Sequence, residues 1–151
     1  MGVKNIMSPA TDSGRKPRQQ YGALPLRRGA DGDWQILLVT TRGRRLWSIP
    51  KGWPIRRLSP SAAAAQEAFE EGGVRGSVEE QPAGRYRYEK RTNGSRLAMV
   101  VDVYRLVVSE ELESWPEKAE RIREWVPLAD ASARVAEPEL AALLKALMTM
   151  P

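Results

Sequence analysis

The 151-residue chain contains no cysteine and no histidine. Without cysteine there is no disulfide framework and no thiolate chemistry. Without histidine there is no imidazole general base and no imidazole metal site. Carboxylates are left as the obvious ligands for a metal, and they suit hard cations. Long apolar runs are missing too: none approaches the ~18 residues needed to span a bilayer. The N-terminus carries no signal-peptide apolar region. Ile6 stands where a Met-Gly myristoylation signal has Ser or Thr. A cytoplasmic location is the simplest expectation. There is no internal repeat and no sign of a second domain.

What the chain has in excess is positive charge. Its 24 Lys and Arg exceed its 19 Asp and Glu, for a net charge of +5 and a pI near 9.8. Such a surface favours polyanions: nucleic acid, phosphorylated metabolites or anionic lipid. The length suffices for one domain with its own core. Residues 1–17 are polar, contain Gly and Pro and show no periodicity, so they are predicted to be a flexible tail. That leaves 18–151 as the folded domain.

Tyr21 to Leu26 reads as a first strand, and Ala30-Asp31-Gly32-Asp33 as a turn. Trp34 to Val39 reads as a second strand, with Ile36 to Val39 predicted to be buried on both faces. Arg42-Gly43-Arg44-Arg45 makes a basic loop. Trp47 to Pro50 is short and extended, since a proline biases its predecessor away from helix. Gly76 to Pro82 reads as a strand. Arg85 to Arg91 alternates Arg and Tyr, which sends Tyr86 and Tyr88 to one face and the arginines to the other. Thr92-Asn93-Gly94-Ser95 is a hairpin turn. Leu97 to Val108 is rich in β-branched residues and strand-like; Asp102 within it is read as polar on the exposed face. Glu110 to Glu120 is a loop, Arg121 to Leu128 a short strand, and Ala129 to Val135 the start of a short helix. A last helix opens at Glu137-Pro138-Glu139, with Leu140, Leu143, Leu144 and Leu147 as its core stripe. This order predicts an α/β (α+β) fold with a mixed sheet held between helices.

The chemistry concentrates between Trp47 and Val74. Ser59 is a candidate N-cap and Pro60 a first helical residue. Good helix formers follow, and Gly72-Gly73 suits a left-handed stop. Glu67, Glu70 and Glu71 fall at i, i+3 and i+4, so they share one side; Ala62, Ala65 and Phe69 fall opposite and are predicted to face a core. Like charges at this spacing repel, and acids near a helix C-terminus oppose the macrodipole, each at a cost of about 0.2–1 kcal/mol. A bound divalent cation would remove both objections.

Gly52 followed by Glu67-Ala68-Phe69-Glu70-Glu71-Gly72-Gly73-Val74 resembles the Nudix box. That pattern runs Gly, five residues, Glu, seven residues, Arg-Glu, an aliphatic residue, any residue, Glu-Glu, any residue, Gly, aliphatic. Gly52, Glu67, Glu70, Glu71, Gly73 and Val74 match. Leu58 replaces the first Glu and Gln66 the Arg, so both members of a supporting ion pair are absent. Pro50-Lys51-Gly52-Trp53 and Arg121-Ile122-Arg123-Glu124-Trp125 resemble the diphosphoinositol polyphosphate phosphohydrolase branch. The resemblance implies an α/β/α sandwich and hydrolysis of phosphoanhydrides in diphosphoinositol polyphosphates or dinucleoside polyphosphates, with Mg²⁺ or Mn²⁺. It implies Glu67 and Glu71 as metal ligands, with the Lys51 backbone alongside, and Glu70 as the base. Glu89 and Glu117 are weaker candidates for further ligands. Arg18, Lys51, Gly52, Arg96 and Arg121 stand where the branch contacts substrate. Arg42, Arg44, Arg45, Arg56 and Arg57 flank the box. A small-molecule polyphosphate, and neither a membrane nor a nucleic acid, is the expected partner, for a monomer or homodimer.

Two other readings compete. Leu58 and Gln66 motivate a polyanion sensor that binds without cleaving. The pI and the Arg-Tyr alternation motivate a nucleic-acid binder, although the alternation fits a half-buried strand better.

Overall fold

The computed structural model describes residues 16–148; residues 1–15, most of the predicted tail, lie outside that range. Eight strands form one sheet: β1 (Arg18–Arg28), β2 (Trp34–Thr40), β3 (Trp47–Ser48), β4 (Lys51–Gly52), β5 (Val74–Val78), β6 (Gly84–Thr92), β7 (Ser95–Glu111) and β8 (Arg123–Pro127). Three helices accompany them: α1 (Pro60–Gly72), α2 (Leu128–Arg134) and α3 (Pro138–Met148).

The sheet is built around β1 and β7, which run parallel from Arg18↔Met99 to Leu26↔Val107. Every other pairing is antiparallel. On its outer edge β1 takes β4 early (Tyr21↔Gly52) and β2 late (Leu26↔Ile36). β7 is long enough to pair β6 along its first half and β5 along its second. β2 carries β3 and β8. This is the mixed sheet that the pattern predicts.

Both sheet faces are apolar, as the run Ile36–Val39 foretells. Ile36 and Leu38 point to one face with Leu24, Tyr86, Val101 and Val103; α2 and α3 cover it through Ala131, Leu140 and Leu144. Leu37 points to the other with Ala23, Tyr104 and Leu106; α1 covers it through Ala64 and Ala68. The architecture is therefore an α/β/α sandwich. Tyr86 and Tyr88 do lie inward while Arg85 and Arg87 are exposed. Asp102 pairs with exposed Arg85 at 2.6 Å, but it is only partly exposed and also accepts from Gln19 Nε2 at 3.3 Å, so it is less open than the exposed face predicted for it. Two strands run longer than predicted, β1 from Arg18 and β7 to Glu111, because register with a neighbour extends a ladder past its apolar centre; β8 is shorter, Arg123–Pro127, and β5 ends at Val78. β5 begins earlier, at Val74, straight after the helix cap.

One expectation holds only in part. Of Ala62, Ala65 and Phe69, all partly buried, Ala65 packs against the core; the buried residues of α1 are Ser61, Ala63, Ala64, Ala68, Glu71 and Gly72. The alanines let α1 lie close on the sheet, and the acidic side is carried inward with them. Phe69 instead lies at the margin under Arg75, whose guanidinium sits 4.4 Å from its ring.

Both ends of α1 are as read. Ser59 accepts a hydrogen bond from Ala62 N, and Gly73 stops the helix at φ 67°. A Cβ at Gly73 would lie 2.6 Å from the Trp115 ring. Gly73→Ala is expected to cost about 1–3 kcal/mol, from the left-handed backbone plus that collision. Urea unfolding of the two proteins measures it.

Candidate active site

The C-terminal half of α1 meets the start of the sheet where β4 crosses it. Gly52 is pressed against Glu67: a Cβ there would stand 2.5 and 2.7 Å from the two carboxylate oxygens. Here the missing side chain is a physical requirement, since it is what gives Glu67 its place. The carboxyl groups of Glu67 and Glu71 lie within hydrogen-bond range of each other. Glu71 is only 5% exposed.

Burial dominates the electrostatics. Desolvation raises the Glu71 carboxyl to about 8, with Glu67 and Glu117 adding to the rise and Arg121 and Lys51 opposing it. Glu67 is also raised, again mainly by burial, while its hydrogen bond to Glu71 works the other way.

The surrounding loop explains how a helix can end in acids. The segment between β7 and β8 supplies donors to its last carbonyls, which otherwise lack partners. Glu117 N bonds Glu70 O at 3.0 Å, and Trp115 Nε1 bonds Glu71 O at 3.1 Å. Arg123 bonds Gly72 O at 2.9 Å and stacks on Trp115, 3.8 Å from the ring. A cation at this end also complements the helix dipole. Arg121 adds a second: its guanidinium lies 3.5 Å from Glu71, 2.7 Å from Glu117 and 2.9 Å from Thr40 O.

The sequence candidates sort themselves by place. Glu67, Glu71, Gly52 and Arg121 converge. Glu70 is adjacent but separately held: Gln66 Nε2 donates to its Oε2 at 2.7 Å. So Gln66 takes a new partner where the ion pair is lost, and Leu58 is left 41% exposed. Glu117 comes into the site through Arg121, whereas Glu89 pairs with Arg96 at 3.7 Å on the β6–β7 hairpin. Arg18 opens β1 and is exposed. Lys51 lies at the site by its backbone, but its ammonium bonds Ser48 and Glu137. Glu137 had no signal in the sequence beyond opening a helix. Arg42 pairs with Glu117 at 3.2 Å and Glu120 at 3.0 Å.

Among the described residues no three acidic side chains enclose a common point. Glu67 and Glu71, side by side next to Gly52, offer only oxygen donors, and that chemistry fits a hard divalent ion.

Residues 16–147 match the family model described as the NUDIX domain. Nudix hydrolase 21, chloroplastic, of Arabidopsis thaliana is 34% identical over 120 residues, 76% of this chain and 58% of that protein. Diphosphoinositol polyphosphate phosphohydrolase 3-beta of Bos taurus is 34% identical over 101 residues, 66% of this chain and 58% of that protein. The chain thus spans less than two thirds of either relative. A C. elegans Ap4A hydrolase, solved as a binary complex, has the same fold, with a TM-score of 0.64 at 19% identity over 87% of this chain and 95% of that one. The chloroplast in the first name lends no support to a cytoplasmic location. No described helix is long and apolar enough to cross a membrane.

The raised Glu71 carboxyl sets a pH dependence for the metal-free protein. Folded, the group holds its proton up to about 8; unfolded, it releases it near the ordinary carboxyl value of 4.5. The proton is bound preferentially by the folded state between those values, so this contribution to stability falls as pH rises from 4.5 to 8. In EDTA, unfolding free energy should drop across that window by up to about 5 kcal/mol. Glu71→Gln should flatten the slope and leave the protein more stable than the parent at pH 8. A slope that survives the substitution belongs to other groups.

Proposed function

The chain belongs to the NUDIX family, and from that premise we propose that it is a divalent-cation-dependent hydrolase of phosphoanhydride bonds in polyphosphorylated small molecules. Diphosphoinositol polyphosphates and dinucleoside polyphosphates are the proposed substrate classes, by analogy with the bovine relative and the nematode neighbour. One observation carries the reading: Glu67 and Glu71 keep two carboxyl groups side by side, largely out of water, at the end of a helix that would not tolerate them bare.

Glu67 and Glu71 would hold Mg²⁺ or Mn²⁺, with the backbone of Lys51 and Gly52 beside them. Bound there, the ion offsets phosphate charge and acidifies water. The remaining work falls to the chain. Glu70 is assigned as the base. Gln66 holds one of its oxygens at 2.7 Å, which orients the carboxylate. A base acts only if it is within hydrogen-bond reach of the attacking water, and a fixed carboxylate meets that need at small entropic cost.

Substrate phosphates need cations. Arg18 and Arg96 supply them from the starts of β1 and β7. The Arg96–Glu89 pair is 42% and 57% exposed, so giving up that contact for a phosphate costs little. Arg121 is different: it is 12% exposed and already shared between Glu71 and Glu117. Its first role is as counter-charge to the acidic pair, with Glu117 setting its direction.

A panel of polyphosphates with Mg²⁺ and Mn²⁺, with both products identified, tests the activity and shows which bond breaks. Glu70→Gln should lower turnover by about 10²–10⁴-fold at unchanged melting temperature; full turnover in that variant removes Glu70 as base. Tight polyphosphate binding with no cleavage under any divalent ion would instead favour the sensor.

Metal binding itself is read by thermal shift. At a hundredfold excess over Kd, Mg²⁺ should stabilise the parent by about 2.7 kcal/mol. The Glu67→Gln, Glu71→Gln double variant should show no such shift.

A further inference from the structure

Lys51 reaches the site by its backbone but spends its charge elsewhere. Its ammonium bonds Ser48 Oγ at 2.8 Å and Glu137 Oε2 at 3.1 Å, and lies 5.0 Å from the centre of the Tyr88 ring. Ser48 in turn donates to Glu137 Oε1 at 2.6 Å, which closes a ring of three polar groups. The Lys51 and Glu137 side chains are 11% and 13% exposed. A lysine has three donors. Here two are bonded, and the third side faces an aromatic ring.

Glu137 stands just ahead of α3, where an acid is favoured by the helix dipole alone. Its carboxylate does not bond the free N–H groups of its own helix, however. It crosses to β3 and β4. Two tyrosines border this ring: the Tyr88 hydroxyl donates to buried Gln20 at 2.7 Å, and the buried Tyr86 hydroxyl lies beside Ser48. α3 covers the sheet face opposite α1. Lys51 therefore bonds the acid of one layer, Glu137, while its charge lowers the carboxyl of Glu71 in the other.

We propose that Glu137, with Ser48, is a positioning residue for Lys51: it balances the lysine's charge and holds the ammonium back from the Glu67–Glu71 pair. The consequence rests on the proposed function. A divalent ion can then enter the pair without facing an unbalanced lysine, and Lys51 grips substrate phosphate less strongly than a free ammonium would. The two effects are opposite in sign, which separates positioning from a merely structural role.

The test uses the whole protein with Mg²⁺ and inorganic pyrophosphate as probe, followed by calorimetry. Glu137→Gln keeps the size of the side chain and removes its charge. It should tighten pyrophosphate binding and raise the Mg²⁺ needed for half-saturation, each by about three- to tenfold, the scale of one unbalanced charge a few ångströms away. In a Lys51→Met background the same substitution should change neither. Ser48→Ala should shift both quantities in the same directions by less, and serves if Glu137→Gln does not fold. Equal shifts with and without Lys51, or no shift in either variant, overturn the proposal while leaving the proposed function standing. Failure of the parent to bind pyrophosphate with any Mg²⁺ overturns both.

Discussion

Two carboxyl groups crowded together at the C-terminal end of α1, one of them buried, are the constraint on which the rest of this site depends. The arrangement is costly in three ways: like charges adjoin, acids meet the negative end of a helix dipole, and Glu71 is nearly out of water. The fold answers in part: Arg123 and the loop before β8 satisfy the helix carbonyls, and Arg121 lies against Glu71. Burial nonetheless raises the Glu71 carboxyl to about 8, a perturbation of the kind that functional sites concentrate.

The loss of the supporting ion pair at Leu58 and Gln66 reads differently with the geometry in view. A buried pair broken on one side leaves an uncompensated charge; replaced on both sides, it leaves none. Leu58 is turned partly to solvent, and Gln66 is put to use on Glu70. The departure relocates support from the loop to the carboxylate that the proposed chemistry needs oriented.

The layers on the two sides of the sheet are not independent around this site. α1 brings the acids, and α3 brings Glu137 against the lysine of β4. Because β4 is two residues long and pairs with β1, Lys51 and Gly52 are adjacent residues that turn to different layers. Gly52 touches Glu67 on one side while Lys51 bonds Glu137 on the other.

Much of this was legible in the residue order. Ser59, Pro60 and Gly73 mark the ends of α1 because caps are local backbone chemistry, and the run Ile36–Val39 marks a strand buried on both faces because no solvent-facing strand can afford it. The cluster of Glu67, Glu70 and Glu71 follows from helical spacing. Which side of that helix turns inward did not follow: the alanines were as suitable on one face as on the other, and only packing on Ala23 and Leu37 decided it. The partner of Lys51 was equally closed to inspection: Glu137 lies far from the box in the chain, and a long-range ion pair leaves no periodic trace. Glu117 stood out as an acid, but its pairing with Arg121 beside Glu71 did not. Local order determined the elements and the candidate acids; the tertiary structure alone decided which charges are buried together, since burial, not proximity in sequence, is what gives a carboxylate its chemistry.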